Sequence, residues 1–166
     1  MANVKLVYTS PVSLSLTSAN LATSATAGWQ SDGQDNTSNL YIDALVQVKL
    51  NSVNTAPGNN KVIYVYAFGV ADGTTTDYTG TGAANATGTV GTLTFPDITT
   101  TPVVCPQIGV IPYNVQNVAI NSSVFSIGRA FGGILPAKYA IGMINFSGMT
   151  LSVASIKIVP VYMTVA

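Results

Sequence analysis

The chain is 166 residues long, 48% hydrophobic and only 7% charged; six Lys and Arg balance six Asp, His and Glu are both missing, and the formal net charge at pH 7 is zero. Proton transfer near neutral pH draws on His or a tuned Glu, and grip on a phosphate backbone draws on clustered Lys and Arg. This inventory therefore excludes the usual acid–base enzyme and leaves no footprint for nucleic acid.

Twenty Val, 20 Thr and 12 Ile lose rotamer freedom in a helical turn but fit a pleated surface, so an all-β chain is predicted. Its length suits one domain with a two-layer core and no disulfide staple. With so few charges the exterior must be clad in Thr, Ser, Asn and Gly, and weak self-repulsion favours association. A homo-oligomer, dimer or trimer, is expected.

Residues 1–10 include Lys5 but lack the apolar stretch of a signal peptide, so synthesis in the host cytoplasm is expected. Every apolar run is interrupted well short of about 20 residues, which predicts no membrane span. In chain order, the first apolar run is 4–8; Pro11 breaks it, and Val12, Leu14 and Leu16 then alternate. Residues 17–39, rich in Ser, Thr, Ala, Asn and Gly, read as an arm or long loop, with one helical turn available around Leu16, Ala19 and Leu21. The expected division is an extended N-terminal arm over 1–30 and a β-sandwich over 31–166. Trp29, the only Trp, either closes the bottom of the core or anchors a neighbouring subunit.

The first long strand is predicted at 40–50, where Leu40, Ile42, Val46, Val48 and Leu50 share a phase opposite Tyr41, Asp43 and Lys49, the period-two pattern of a half-buried strand. Pro57 and Gly58 turn the chain. Residues 62–70 are almost continuously apolar, as in a strand covered on both faces. Asp72-Gly73 opens a connection over 74–88, containing Tyr78, that is long for a hairpin and reads as a contact loop. Further strands are predicted at 90–95, 103–111, 115–120, 124–130, 139–146 and 153–165, separated by Pro96, Pro102, Pro112, Gly132-Gly133 and Gly148. Such spacing without intervening helices indicates a sandwich or barrel. In the last strand Val153, Val159, Val161, Met163 and Val165 share one phase, opposite Ile156, Ile158 and Tyr162, and Pro160 predicts an edge position or a bulge.

Side chains for chemistry are sparse. Asp32, Asp35 and Asp43 lie close in sequence, but Asp32-Gly33 and Asp35-Asn36 are turn pairs first, and the spaced acidic loop of a calcium site is missing. No metal and no cofactor are expected. A serine nucleophile would lack its base, and Gly80-Thr81-Gly82 lacks the Lys of a phosphate cradle. Cys105, between Val104 and Pro106, reads as a buried inert thiol. Arg129, the only Arg, either caps a loop through a carboxylate or anchors an interface, where Arg and aromatics are enriched. Trp29, Tyr78, Arg129 and Phe131 are the candidate interface residues.

The run Asp35-Asn36-Thr37-Ser38-Asn39-Leu40-Tyr41-Ile42-Asp43-Ala44-Leu45-Val46, with Val65-Tyr66-Ala67 ahead of Asp72-Gly73-Thr74, Phe131-Gly132-Gly133-Ile134-Leu135-Pro136 and Gly142-Met143-Ile144-Asn145-Phe146-Ser147-Gly148, resembles small virion proteins of tailed bacteriophages. These are the jelly-roll cement or decoration proteins on the outside of the capsid shell. The resemblance runs in order over about residues 11–152 and departs after Pro136, where Tyr139 and Met143 stand in place of a Trp-containing strand. It implies an eight-stranded jelly roll, a place in the virion, the major capsid protein lattice as partner, and a bridging role between capsomers without catalysis. A carbohydrate- or receptor-binding β-sandwich of a phage tail or adhesin, stacking sugars on Trp29, Tyr41, Tyr78 or Tyr113, is the alternative expectation.

Overall fold

Alternating apolar residues cut by Pro and Gly make a chain of short strands, and their register decides the architecture. The computed structural model describes residues 3–16, 20–52, 56–72, 78, 88–96, 98–99 and 101–165. Within them run β1 (Val4–Tyr8), β2 (Val12–Leu14), β3 (Ala27–Gln30), β4 (Gln34–Asp35), β5 (Asp43–Ser52), β6 (Val62–Val70), β7 (Gly91–Thr94), β8 (Gln107–Pro112), β9 (Ala119–Asn121), β10 (Phe125–Ser126), β11 (Lys138–Phe146) and β12 (Leu151–Val165). One helical turn, Thr101–Val104, and one 3-10 turn, Gly128–Phe131, interrupt the strands.

The first sheet has the order β1-β12-β5-β10, with β2 also on β12 and β9 also on β5; the second has the order β7-β3-β11-β6-β8, with β4 also on β11. The chain passes from β1 and β2 in the first sheet to β3 in the second, back to β5, across to β6 and β8, back to β9 and β10, across to β11 and home to β12. That alternation is the jelly-roll path of two facing antiparallel sheets. β7 is an addition to it, formed midway in the long connection from β6 to β8.

Within residues 1–30, expected as an N-terminal arm, three strands join the sheets. β1 and β2 pair with β12, and β3 pairs with both β11 and β7. Leu14, Leu21 and Trp29 are buried, and Leu21 exchanges backbone hydrogen bonds with Leu151. These side chains bring the segment into the sandwich, because leaving them in water would forgo their burial. Of the helical turn expected at Leu16, Ala19 and Leu21, Ala19 lies outside the described residues, and Leu21 forms a β-bridge.

Pro160 does not make β12 an edge strand: β1 and β2 lie on one side and β5 on the other. The Pro160 carbonyl accepts the Thr9 N–H at 3.0 Å, so its missing donor points toward the N-terminal strands. There β1 ends at Tyr8 opposite Val161 and β2 begins at Val12 opposite Ile158. The ladder lapses where proline has no N–H to offer. The irregularity within β12 itself falls earlier, between Val153 and Ser155.

Two apolar clusters follow from the two faces of the second sheet. Between the sheets pack Trp29, Val46, Val48, Leu50, Ile63, Val65, Ile141, Met143, Ile156 and Ile158, among others. On the other face of β6 and β11 lie Tyr66, Phe68, Val70, Ala140 and Ile144, covered by Tyr78, Leu93, Phe95 and Cys105 from the β6–β8 connection. The continuous apolar run of β6 thus serves two cores. Gly142 is required by the second: a Cβ there would strike the rings of Phe68 and Phe95, which stack 6.0 Å apart.

Burial pushes the Cys105 thiol up to about 12. Its thiolate is therefore suppressed, and alkylation at pH 8 is expected to be negligible in the native protein and complete in denaturant. Mass spectrometry after iodoacetamide, with and without urea, checks this. Because the folded value exceeds the unfolded one, the thiol's contribution to stability is whole below pH 9 and falls away as pH rises from 9 toward 12.

Candidate interaction surface

Among the described residues, no second layer covers the outer face of the first sheet as the β6–β8 connection covers β6 and β11. In the antiparallel register of β1 with β12, Val4 stands opposite Val165, Leu6 opposite Met163 and Tyr8 opposite Val161, and residues directly opposite share a face. Val7 and Tyr162 take the other phase, and Tyr162 meets Tyr41 with ring centroids 6.4 Å apart. Val4, Leu6, Tyr8, Met163 and Val165 are each 55–69% exposed.

A groove that shares Tyr8 with this row is lined by Pro11, Leu45, Val124 and Val159 together with the polar Gln47 and Lys157. Lys157 Nζ donates to Ser13 Oγ at 2.8 Å. Row and groove together put several exposed apolar side chains on one side of the molecule, a usual signature of a contact surface. Among the described residues no titratable group lines the groove except Lys157 and Tyr8, so the contacts these residues offer are mainly those of burial and shape.

The four residues singled out from sequence are not brought together. Trp29 is 1% exposed and belongs to the core between the sheets, which is the first of its two readings. Tyr78, expected among the contact residues, is 5% exposed and sits in the second cluster. Its ring fills space that Gly33 and Gly88 leave open, and burial, with the Asp35 charge nearby, raises its hydroxyl pKa. Apart from Tyr78 and Gly88, the 74–88 contact loop lies outside the described residues.

Arg129 is exposed in the 3-10 turn and lines a more polar hollow with Gln107, Phe125 and Ser126. Val124 borders both that hollow and the apolar groove, so Arg129 flanks the candidate surface. The turn beside it is held by Asp43, whose carboxylate accepts the N–H groups of Ala44 and Gly128 and the hydroxyl of Ser126. Phe131 is half-buried and lines a different depression with Gly69, Val70, Ile134 and Pro136.

The carboxylates near the N-terminal third do turn work. Asp35 accepts both the N–H and the hydroxyl of Thr37, which hold its carboxyl below the usual range. Asp32 accepts the Ser15 N–H at 2.8 Å and a weaker bond from the Gln34 amide. Among the described residues no group of three His, Cys, Asp or Glu is placed to hold a metal ion, and no helix is long and apolar enough to cross a membrane.

No protein-family model matches the chain, and no curated protein matches its sequence. Val4, Leu6, Tyr8 and Met163 were not among the sequence-derived candidates. Their signal is present as the even phase of 4–8 and the odd phase of the last strand, but period two alone does not say which phase faces water.

Proposed function

We propose that the protein is a non-enzymatic structural subunit of a virion, a cement or decoration protein that stabilises the capsid by laying the apolar face of its first sheet on the major capsid protein lattice. One observation carries the reading: the outer side of β6 and β11 in the second sheet is covered by its own chain, while β1 and β12 of the first leave Val4, Leu6, Tyr8, Met163 and Val165 exposed. The resemblance over residues 11–152 supports the same role. A standard interface hides about 800 Å² per partner, about a tenth of the 8034 Å² surface of this chain. Repetition over a lattice turns modest single contacts into strong attachment.

The carbohydrate-binding alternative is weakened, since Trp29, Tyr78 and Tyr113 are buried and unable to stack on a sugar. The Tyr113 hydroxyl donates to the Val118 carbonyl, which accounts for it as a core residue.

The test is sedimentation of the purified protein with capsid shells of its parent particle that lack it. The native chain is expected to pellet with the shells, and Met163→Asp, at a site 58% exposed, to fold normally and bind at least tenfold more weakly. Failure of the native chain to pellet, or turnover of a substrate by the isolated protein, would overturn the proposal.

A further inference from the structure

The edge of the first sheet carries an inference beyond lattice binding. Thr9 donates its N–H to Pro160 across the β1–β12 ladder, and Thr9 continues the register in which Tyr8 opposes Val161. In an antiparallel pair, inward and outward backbone groups alternate. The N–H and C=O of Lys5 and Val7 therefore point into the sheet, and those of Val4, Leu6 and Tyr8 point off its edge. An independent bond agrees: Val161, opposite Tyr8, turns its carbonyl the other way, to the Ile42 N–H. Among the described strands none pairs with β1 except β12.

Sheet edges are usually blunted by proline, bulges or very short strands. The opposite edge of this sheet is made of β9 and β10, three and two residues long. In the second sheet, the edge strand β8 ends on Pro112 and follows Pro106. β1 is five residues long without Pro, its one protective residue is Lys5 beside the central Leu6, and its edge-facing residues are the exposed apolar Val4, Leu6 and Tyr8.

We propose that β1 is a self-pairing edge, at which two copies of this chain join antiparallel about a two-fold axis through Leu6. In that register Leu6 meets Leu6 of the second copy, Val4 meets Tyr8 and Tyr8 meets Val4. All three pairs have edge-facing backbone groups on both sides, and all lie on the same face. Lys5 falls opposite Val7, so like charges do not meet, and the net charge of zero adds no long-range repulsion. A two-fold contact must be self-complementary in this way. The second copy is the favoured occupant because the three apolar residues match their own reversed order.

About six ladder hydrogen bonds would form, which at one bond per 100–200 Å² corresponds to roughly 600–1,200 Å² of buried surface. That is at or below the lower end of stable interfaces, so the dimer is concentration-dependent. Its consequence is to merge the two apolar faces into one broader surface. The pairing stands on the strand geometry alone and does not rest on what that surface binds.

Sedimentation equilibrium of the full chain across the micromolar range tests it. A monomer–dimer equilibrium is expected for the native chain. Leu6→Lys and Leu6→Glu, each at a solvent-exposed position, are expected to keep the native circular dichroism and weaken association at least tenfold, because like charges then meet at the axis. An equimolar mixture of the two variants is expected to recover the dimer, which only a contact of position 6 with itself can do. A monomer at all concentrations, a trimer, a dimer indifferent to both substitutions, or a mixture that stays monomeric would each overturn the proposal. None of these readouts involves capsid shells, so this inference and the lattice role can fail separately.

Discussion

Trp29→Ala is expected to cost about 3–5 kcal/mol of stability, as truncation of a fully buried large aromatic does, and to lower the melting temperature by roughly 10 °C in a domain of this size. Trp29 lies in β3, opposite Met143 of β11 and Thr92 of β7, and is 1% exposed in the core between the sheets. Against a total stability of about 5–15 kcal/mol, this one substitution removes a large share. Being the only Trp, it also reports on itself: native fluorescence should be blue-shifted and move to the red on unfolding. Urea denaturation of the native chain, Trp29→Phe and Trp29→Ala should give a graded series. If Trp29 were a subunit anchor instead, Trp29→Ala would keep its melting temperature and lose only association. That outcome would move the indole out of the core.

How much of this could be read beforehand depended on how strongly each segment repeats its pattern. The strands β5, β6, β11 and β12 are long enough for periodicity to speak, and each was legible to within a few residues. The predicted start at Leu40 overran, because Leu40 adopts a left-handed φ of 54° just after the turn at 37–39 and is exposed; apolar character alone mistook it for strand. β3 was missed because Ala-Gly-Trp-Gln has no alternation to detect and is surrounded by Ser and Thr. It is a strand through its neighbours, paired on both sides. The helical turn at Thr101–Val104 overlaps the start of the strand predicted at 103–111, and Pro102, read only as a break, is a recognised opening signal for a helix.

The candidate surface was half legible for a related reason. The phase shared by Val159, Val161, Met163 and Val165 was plain, but assigning Met163 and Val165 to water, with Val161 of the same phase buried, required knowing that Ile156 and Ile158 face the other sheet. The second cluster depends on a connection from residue 71 to 106 that returns to the opposite edge to form β7 before reaching β8. Such non-local closure leaves little local pattern. The continuous apolar run at 62–70 was its one trace.

Asn145→Asp should destabilise the fold by about 3–5 kcal/mol at pH 7, in the range for leaving an uncompensated charge buried. Asn145 is 0% exposed, and its amide nitrogen donates to the carbonyls of Leu21 at 2.9 Å and Met149 at 2.6 Å. Its amide oxygen accepts the N–H and hydroxyl of Ser147. One side chain thus ties the N-terminal segment to the end of β11 and to the turn leading into β12. An aspartate would keep the acceptor and lose the donor, turning a charged oxygen toward two carbonyls. Burial and those carbonyls favour the protonated form, so the folded-state pKa must lie above the unfolded value of about 3.9. By linkage the variant is relatively most stable below the unfolded value and loses stability as pH rises through the folded one. Urea titrations of the native chain and variant at pH 4 and pH 7 should show the gap shrinking in acid, where a protonated carboxyl can again donate one bond. Asn145→Ala, which cannot titrate, should show a gap of about 1–3 kcal/mol from the orphaned groups at both pH values. A gap for Asn145→Asp that did not change with pH would mean that residue 145 is solvated and does not tie these segments together.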